Sequence, residues 1–123
     1  MYGGMGAARY EELRVWQAAR EFSRDVARLL ERGTFGRDFH LCNQLNDASG
    51  STMANIAEGF LRHRDREFAY FLRVAAGSNG EARSHLYVAH DRGYLMDSDL
   101  QRLIEKTNQI GRMLRALERT LRV

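Results

Sequence analysis

The sequence predicts an all-α fold, an antiparallel up-down-up-down four-helix bundle, on three observations. Proline is absent from all 123 residues, so no helix interior is interrupted by one. Four long segments repeat apolar residues at steps of three and four, the pattern of helices that bury one stripe. Two runs of small residues, 48–59 and 75–82, fall inside the second and third of these segments, where short side chains let two backbones come close. With 44% hydrophobic and 28% charged residues, the chain suits one globular core. We expect a flexible leader over 1–8 and a single bundle over 9–123.

The first helix is expected from Tyr10 to Arg32, with Leu13, Trp16, Ala19, Phe22, Val26, Leu29 and Leu30 as its stripe. Gly33-Thr34-Phe35-Gly36 breaks that pattern and reads as a short connection. From about Asp38 a second helix places Leu41, Leu45, Ala48, Thr52, Ile56 and Gly59 on a heptad-like seam, which suits packing at about 20°. Gly50 inside it costs about 1 kcal/mol relative to alanine, a deficit that packing would have to offset. Arg62 to Arg66 forms a charged turn, with Asp65 as the expected N-cap of the third helix. That helix runs to Asp91, burying Phe68, Phe71, Leu72, Ala75, Ser78, Asn79, Ala82, Leu86 and Ala89, and Gly93 closes it. Ser98 with Gln101 reads as a capping box that opens the last helix, and Leu100, Leu103, Thr107, Ile110, Leu114, Leu117 and Leu121 form its seam.

Charge is uneven along the chain. Residues 1–60 hold 7 Arg against 8 Asp and Glu, net −1, whereas residues 61–123 hold 12 Arg and Lys against 8 acids, net +4. Arginine makes up nearly all of the basic surplus, and its planar fork suits bidentate phosphate contacts. Two groups stand out: Arg62, Arg64 and Arg66 at a turn, and Arg112, Arg115, Arg119 and Arg122 on the last helix, roughly 150° from its apolar seam at 100° per residue. A solvated helix face, in a GC-rich genome that writes Arg for Lys, is the bland explanation. The functional one is phosphate neutralisation by a basic surface. The arginines have no accompanying aromatic array, which disfavours base stacking.

Catalytic chemistry finds little support. Cys42 is the single cysteine, so one chain makes neither an internal disulfide nor a cysteine zinc site, and a small hydrophobe is its simplest role. A carboxylate-bridged dimetal centre needs two Glu-x-x-His motifs, and none occurs; Glu81 and His85 are four apart, but His85 and His90 diverge. No metal, cofactor or catalytic set is therefore expected, and the protein is read as non-enzymatic. No run of about 20 apolar residues suits a bilayer, so the expected location is the cytoplasm. Asn55, Glu58, Gly59, Gly77, Ser78 and Glu81 are candidates for a polar network at the helix contact, with Glu58 and Glu81 holding it. An acid/base pair of these two would need a raised pKa and a pocket.

The string Asn55-Ile56-Ala57-Glu58-Gly59, followed by Glu67-Phe68, Phe71-Leu72, Gly77-Ser78, Glu81 and Gly93-Tyr94, resembles a known family. This is the four-helix bundle protein family encoded within intervening sequences of bacterial 23S ribosomal RNA genes, and the likeness runs from Tyr10 through the last helix. It implies an antiparallel bundle that assembles into a ring, typically a homopentamer, without established enzymatic activity. The family is also similar in fold to the accessory variability determinant of diversity-generating retroelements, a basic bundle that works with a reverse transcriptase. Asn46-Asp47 and Met53 stand where many members have a basic pair and a proline. Two functions are weighed: an oligomeric bundle presenting arginines to RNA or DNA, and a scaffold that docks a protein partner. A metal-dependent oxidase serves as the contrast class.

Overall fold

The computed structural model describes residues 6–123. Residues 1–5 of the expected leader lie outside the described residues; of the rest, Ala7 packs against the core and the Ala8 N–H donates to Glu12. Four helices follow: α1 (Arg14–Leu30), α2 (Phe39–Leu61), α3 (Asp65–Asp91) and α4 (Asp97–Arg119). They form an up-down bundle in which each packs on its neighbour in sequence and α4 returns against α1.

The seams fall almost where the periodicity puts them. Leu41, Leu45, Ala48, Thr52, Ile56 and Gly59 of α2 are all buried, as are Leu103, Thr107, Ile110, Leu114 and Leu117 of α4. Phe68, Leu72, Ala75, Ala82, Leu86 and Ala89 of α3 have no exposed surface. Phe60 and Phe68 meet edge to face, 6.0 Å between centroids, and join α2 to α3 at one end of the bundle.

α1 starts later than expected. Tyr10–Glu12 forms a single 3₁₀ turn and Leu13 is extended at φ −71°, ψ 125°, so the α-helix begins only at Arg14. Leu13, Ala19, Phe22, Val26 and Leu29 are buried as expected, but Val15 joins them and Trp16 sits at the edge of the stripe, half-buried. There Trp16 takes the edge of Tyr10 at 5.3 Å and the Arg20 guanidinium at 5.7 Å. Phe71 is half-buried as well, beneath the Arg62 guanidinium at 5.1 Å.

The helix ends also differ from expectation at two places. Arg64, in extended conformation, precedes α3, and Asp65 is its first residue rather than its cap. The Asp65 carboxylate instead accepts the Arg122 N–H at 3.1 Å, tying the end of the chain to the start of α3. α4 begins at Asp97 without a side-chain cap, one residue before the expected capping box. Asp97 and Asp99 still favour its positive end. Gly93, at φ +80°, closes α3 as expected, with the Tyr94 N–H donating to Ala89 O at 2.9 Å.

Asp38 does more than start α2. Its Oδ1 caps the Leu41 N–H at 3.3 Å, while Oδ2 accepts from Arg92 and from the Tyr94 hydroxyl, each at 2.8 Å. The Tyr94 ring stacks on Phe35 at 4.9 Å, so the α1–α2 and α3–α4 links are fastened together. The Tyr94 hydrogen bond, followed by that of Arg92, holds the Asp38 carboxyl below its ordinary pKa. A depressed carboxylate adds stability above its unfolded pKa, about 3.9, and that stability is lost as pH falls through the folded value. Asp38→Asn should therefore lower the melting temperature most at neutral pH, with the gap to wild type closing below about pH 4. Melting curves across pH check this, and a gap that stays constant would refute it. Nearby, the Cys42 thiol donates to Phe35 O at 3.1 Å and is pushed above its usual pKa by burial, as suits an unreactive cysteine.

Candidate nucleic-acid interface

Arginine on α4 follows from its helical phase. With Leu103, Ile110, Leu114 and Leu117 turned inward, residues 112, 115 and 119 must face solvent, and all three are exposed, as is Arg122 beyond the helix. Arg112 pairs with Glu105 at 2.9 Å. The side chains of Arg115, Arg119 and Arg122 make no ion pair among the described residues. The turn group differs: Arg62 reaches Glu58 at 2.9 Å and Glu67 at 3.6 Å, and Arg64 reaches Glu67 at 3.8 Å. Arg66 is exposed and carries no ion pair among the described residues.

The Asp65–Arg122 hydrogen bond brings the two basic groups to one end of the bundle, because Arg64 and Arg66 flank Asp65. Along the chain the two groups stand apart, and α3 adds arginines of its own to the α3–α4 side, which the periodicity of α4 does not show. Arg73 bonds Glu118 at 3.0 Å, and Arg83 donates to Asn108 Oδ1 at 2.9 Å, both across the α3–α4 contact. Their four-residue spacing from buried Ala69 and Asn79 was the signal that could have placed them on this seam.

The proposed helix-contact residues divide. Asn55 donates to Ser51 O at 2.8 Å and to Ser51 Oγ at 3.0 Å, and Ser51 Oγ lies 2.9 Å from Ser78 Oγ, so a short polar chain links α2 to α3. Glu58 is not in it, being half-exposed and paired with Arg62. Glu81 is exposed and borders a shallow polar depression with Gln44, Asp47, Ser51, Ser78 and His85. Among the described residues, no three His, Cys, Asp or Glu side chains gather closely enough to hold a metal.

The glycines divide too. A Cβ on Gly59 would lie 2.7 Å from Phe71 Cβ and 3.3 Å from Phe68 O, so α2 and α3 do meet closely there. Gly50, Gly77 and Gly80 face open space, with nothing within 4 Å of an added Cβ. A small-residue run longer than two helical turns necessarily covers every side of its helix, and only one side can pack inward. Gly77→Ala should accordingly stabilise the isolated chain by up to about 1 kcal/mol, through helix propensity alone. Denaturant unfolding checks this; a loss of stability would mean that another backbone occupies the space.

Elsewhere the charges are structural. Lys106 of α4 bonds Asp25 and Glu21 of α1, and the Asp25 hydrogen bond above all holds its amine above the ordinary lysine pKa. No helix among the described residues is long and apolar enough to cross a membrane.

Comparison with known proteins agrees with this architecture. A crystal structure of a protein with unknown function from the S23 ribosomal protein family of Bacteroides thetaiotaomicron superposes with a TM-score of 0.76 at 17% identity. The match covers 85% of this chain and 95% of that one, and at such identity it speaks for the fold alone. No curated protein sequence matches the chain. Residues 11–116 match the model of the 23S rRNA-intervening sequence protein, and the chain belongs to that family.

Proposed function

We propose that this protein is a non-enzymatic, oligomeric bundle that binds nucleic acid through its arginine-rich surface. One observation carries the reading: Arg115, Arg119 and Arg122 present guanidiniums without carboxylate partners among the described residues, at the end that also bears Arg64 and Arg66. Unneutralised guanidiniums on a convex helix suit the phosphates of a polyanion, and release of condensed counterions would drive association. Assembly into a ring, as the resemblance implies for a homopentamer, would repeat the patch around an axis and raise the local field. Work alongside a nucleic-acid-handling enzyme such as a reverse transcriptase rests on the likeness to the retroelement accessory protein.

Filter binding of structured RNA over rising salt tests the proposal. The expected result is retention at low salt that weakens steeply, with log K falling by roughly 0.7–0.9 per decade of salt for each phosphate contacted. Absence of binding at low salt by assembled protein would overturn it.

A second reading is favoured by the other face. α2 carries no Arg or Lys between Phe39 and Leu61, and Gly50 and Gly77 leave open space beside it, a surface better suited to a protein than to phosphate. A partner retained through nuclease and high salt would support that scaffold role.

A further inference from the structure

A narrow groove of about 250 Å³ runs between α3 and α4 at mid-height, and Asn79, Arg83, Thr107, Gly111, Arg112 and Arg115 line it. Its volume falls below the roughly 300–1,000 Å³ of common small-molecule sites, which leaves room for a phosphate and its sugar but not for a large cofactor. Gly80 and Gly111 keep the groove open: nothing lies within 4 Å of a Cβ at Gly80, and one at Gly111 would meet only the ends of Arg115 and Asn79.

Two arginines here are oriented without being neutralised. Arg83 is held by the Asn108 carboxamide, a neutral acceptor, at 2.9 Å. Arg115 folds back over Gly111, its Nη1 3.5 Å from where a Cβ would sit. Arg28, Arg32, Arg62, Arg73, Arg92 and Arg102, by contrast, each touch a carboxylate. A positioned guanidinium with its charge uncompensated is what an anion site requires.

Asn79 makes the site more specific. Its residue is 7% exposed, and its Nδ2 is committed to Thr107 O at 2.8 Å, which fixes the orientation of the amide. Oδ1 is then left buried with no donor, the single such side-chain atom among the described residues. Leaving a buried acceptor unpaired is costly, so such an atom calls for a partner. Asn79 and Arg115 line the same groove, and a Cβ at Gly111 would meet Nδ2 of the one at 3.7 Å and Nη1 of the other at 3.5 Å.

We propose that this groove seats one nucleotide of single-stranded RNA, with Arg83 and Arg115 on the phosphate and the adjacent ribose 2′-hydroxyl donating to Asn79 Oδ1. The 2′-hydroxyl is the donor that lies next to a backbone phosphate in RNA and is missing from DNA. The proposal rests on the nucleic-acid reading above and adds to it both a location and a preference for RNA.

Fluorescence anisotropy with a short single-stranded RNA, and with DNA of the same sequence, provides the test. Wild type should bind RNA more tightly. Arg83→Gln with Arg115→Gln should weaken RNA binding tenfold or more and reduce the salt slope by about 1, whereas Arg14→Gln with Arg24→Gln, an equal change in charge on α1, should do neither. Gly111→Ala fills the floor while favouring the helix, so it should bring the RNA:DNA affinity ratio toward one without lowering the melting temperature. A paired Arg83 and Arg115 variant that behaves like the α1 control overturns the groove and leaves the broader reading standing. Equal binding of RNA and DNA by wild type removes the role of Asn79, and binding of neither overturns both proposals. Displacement of RNA by an equal nucleotide concentration of nucleoside 5′-monophosphate would mark a site for a free phosphate ester and overturn the polymer assignment.

Discussion

Gly59→Val should destabilise the bundle by about 3 kcal/mol or more, since an added side chain in a packed core forces backbone or rotamer shifts. The geometry leaves little room to yield. The Cβ alone would stand 2.7 Å from Phe71 Cβ and 3.3 Å from the Phe68 carbonyl, both atoms fixed to the α3 backbone. Relief must come from moving α2 away from α3, which would open the buried contact of Phe60 with Phe68. At roughly 4 °C per kcal/mol for a domain of this size, the melting temperature should fall by more than about 10 °C. Gly77→Ala in the same measurement should hold or gain stability, so the contrast between the two glycines separates close packing from mere smallness. A Gly59→Val protein that melts like wild type would mean that α2 and α3 are not in contact at this point.

The largest functional effect should come from neutralising Arg112, Arg115, Arg119 and Arg122 together by glutamine. If each meets a phosphate, the slope of log K against log salt should shrink by about 3, and affinity near 0.1 M salt should fall by two orders of magnitude or more. Stability should change little, because these side chains are exposed and the one ion pair among them, Arg112–Glu105, is a surface pair worth about 0–1 kcal/mol. Circular dichroism beside filter binding separates the two outcomes. Unchanged RNA binding by the folded variant would move the interface off α4. The same loss of affinity at every salt concentration would point to shape rather than charge.

The fold was largely legible in the sequence because each seam repeats a single period over many turns. Leu41 to Gly59 and Leu103 to Leu117 needed no tertiary information to be placed. Helix starts were harder, since they depend on single residues in competition: Asp65 and Ser98 have the chemistry of caps, yet Arg64 and Met96 hold the cap positions. Trp16 was misplaced because it and Val15, three and four residues before Ala19, both fit the helical period, and Val15 takes the inward position.

Of the candidate site, the outward placement of the α4 arginines followed from phase, but the company they keep did not. Arg83 meets Asn108 across 25 residues of chain, and Arg122 meets Asp65 across 57. Pairings of that range are set by how helices lie against each other, which periodicity within one helix does not encode. For the same reason, Glu58 and Glu81 looked like partners when both were imagined on the inner side of a small-residue run. The chain that actually links α2 to α3 there is Asn55, Ser51 and Ser78.

The clamp at Asp38 has a mechanical consequence. It gathers Arg92, Tyr94 and the Leu41 amide onto one carboxylate, so the two helical hairpins are riveted where their links meet. At the opposite pole, the Arg122 N–H just beyond α4 donates to the Asp65 carboxylate at the start of α3. Local opening begins where the fewest bonds must break. Parting the hairpins at their links therefore means breaking the Asp38 bonds and the Phe35–Tyr94 stack together, so that end of the bundle opens as a unit or stays shut.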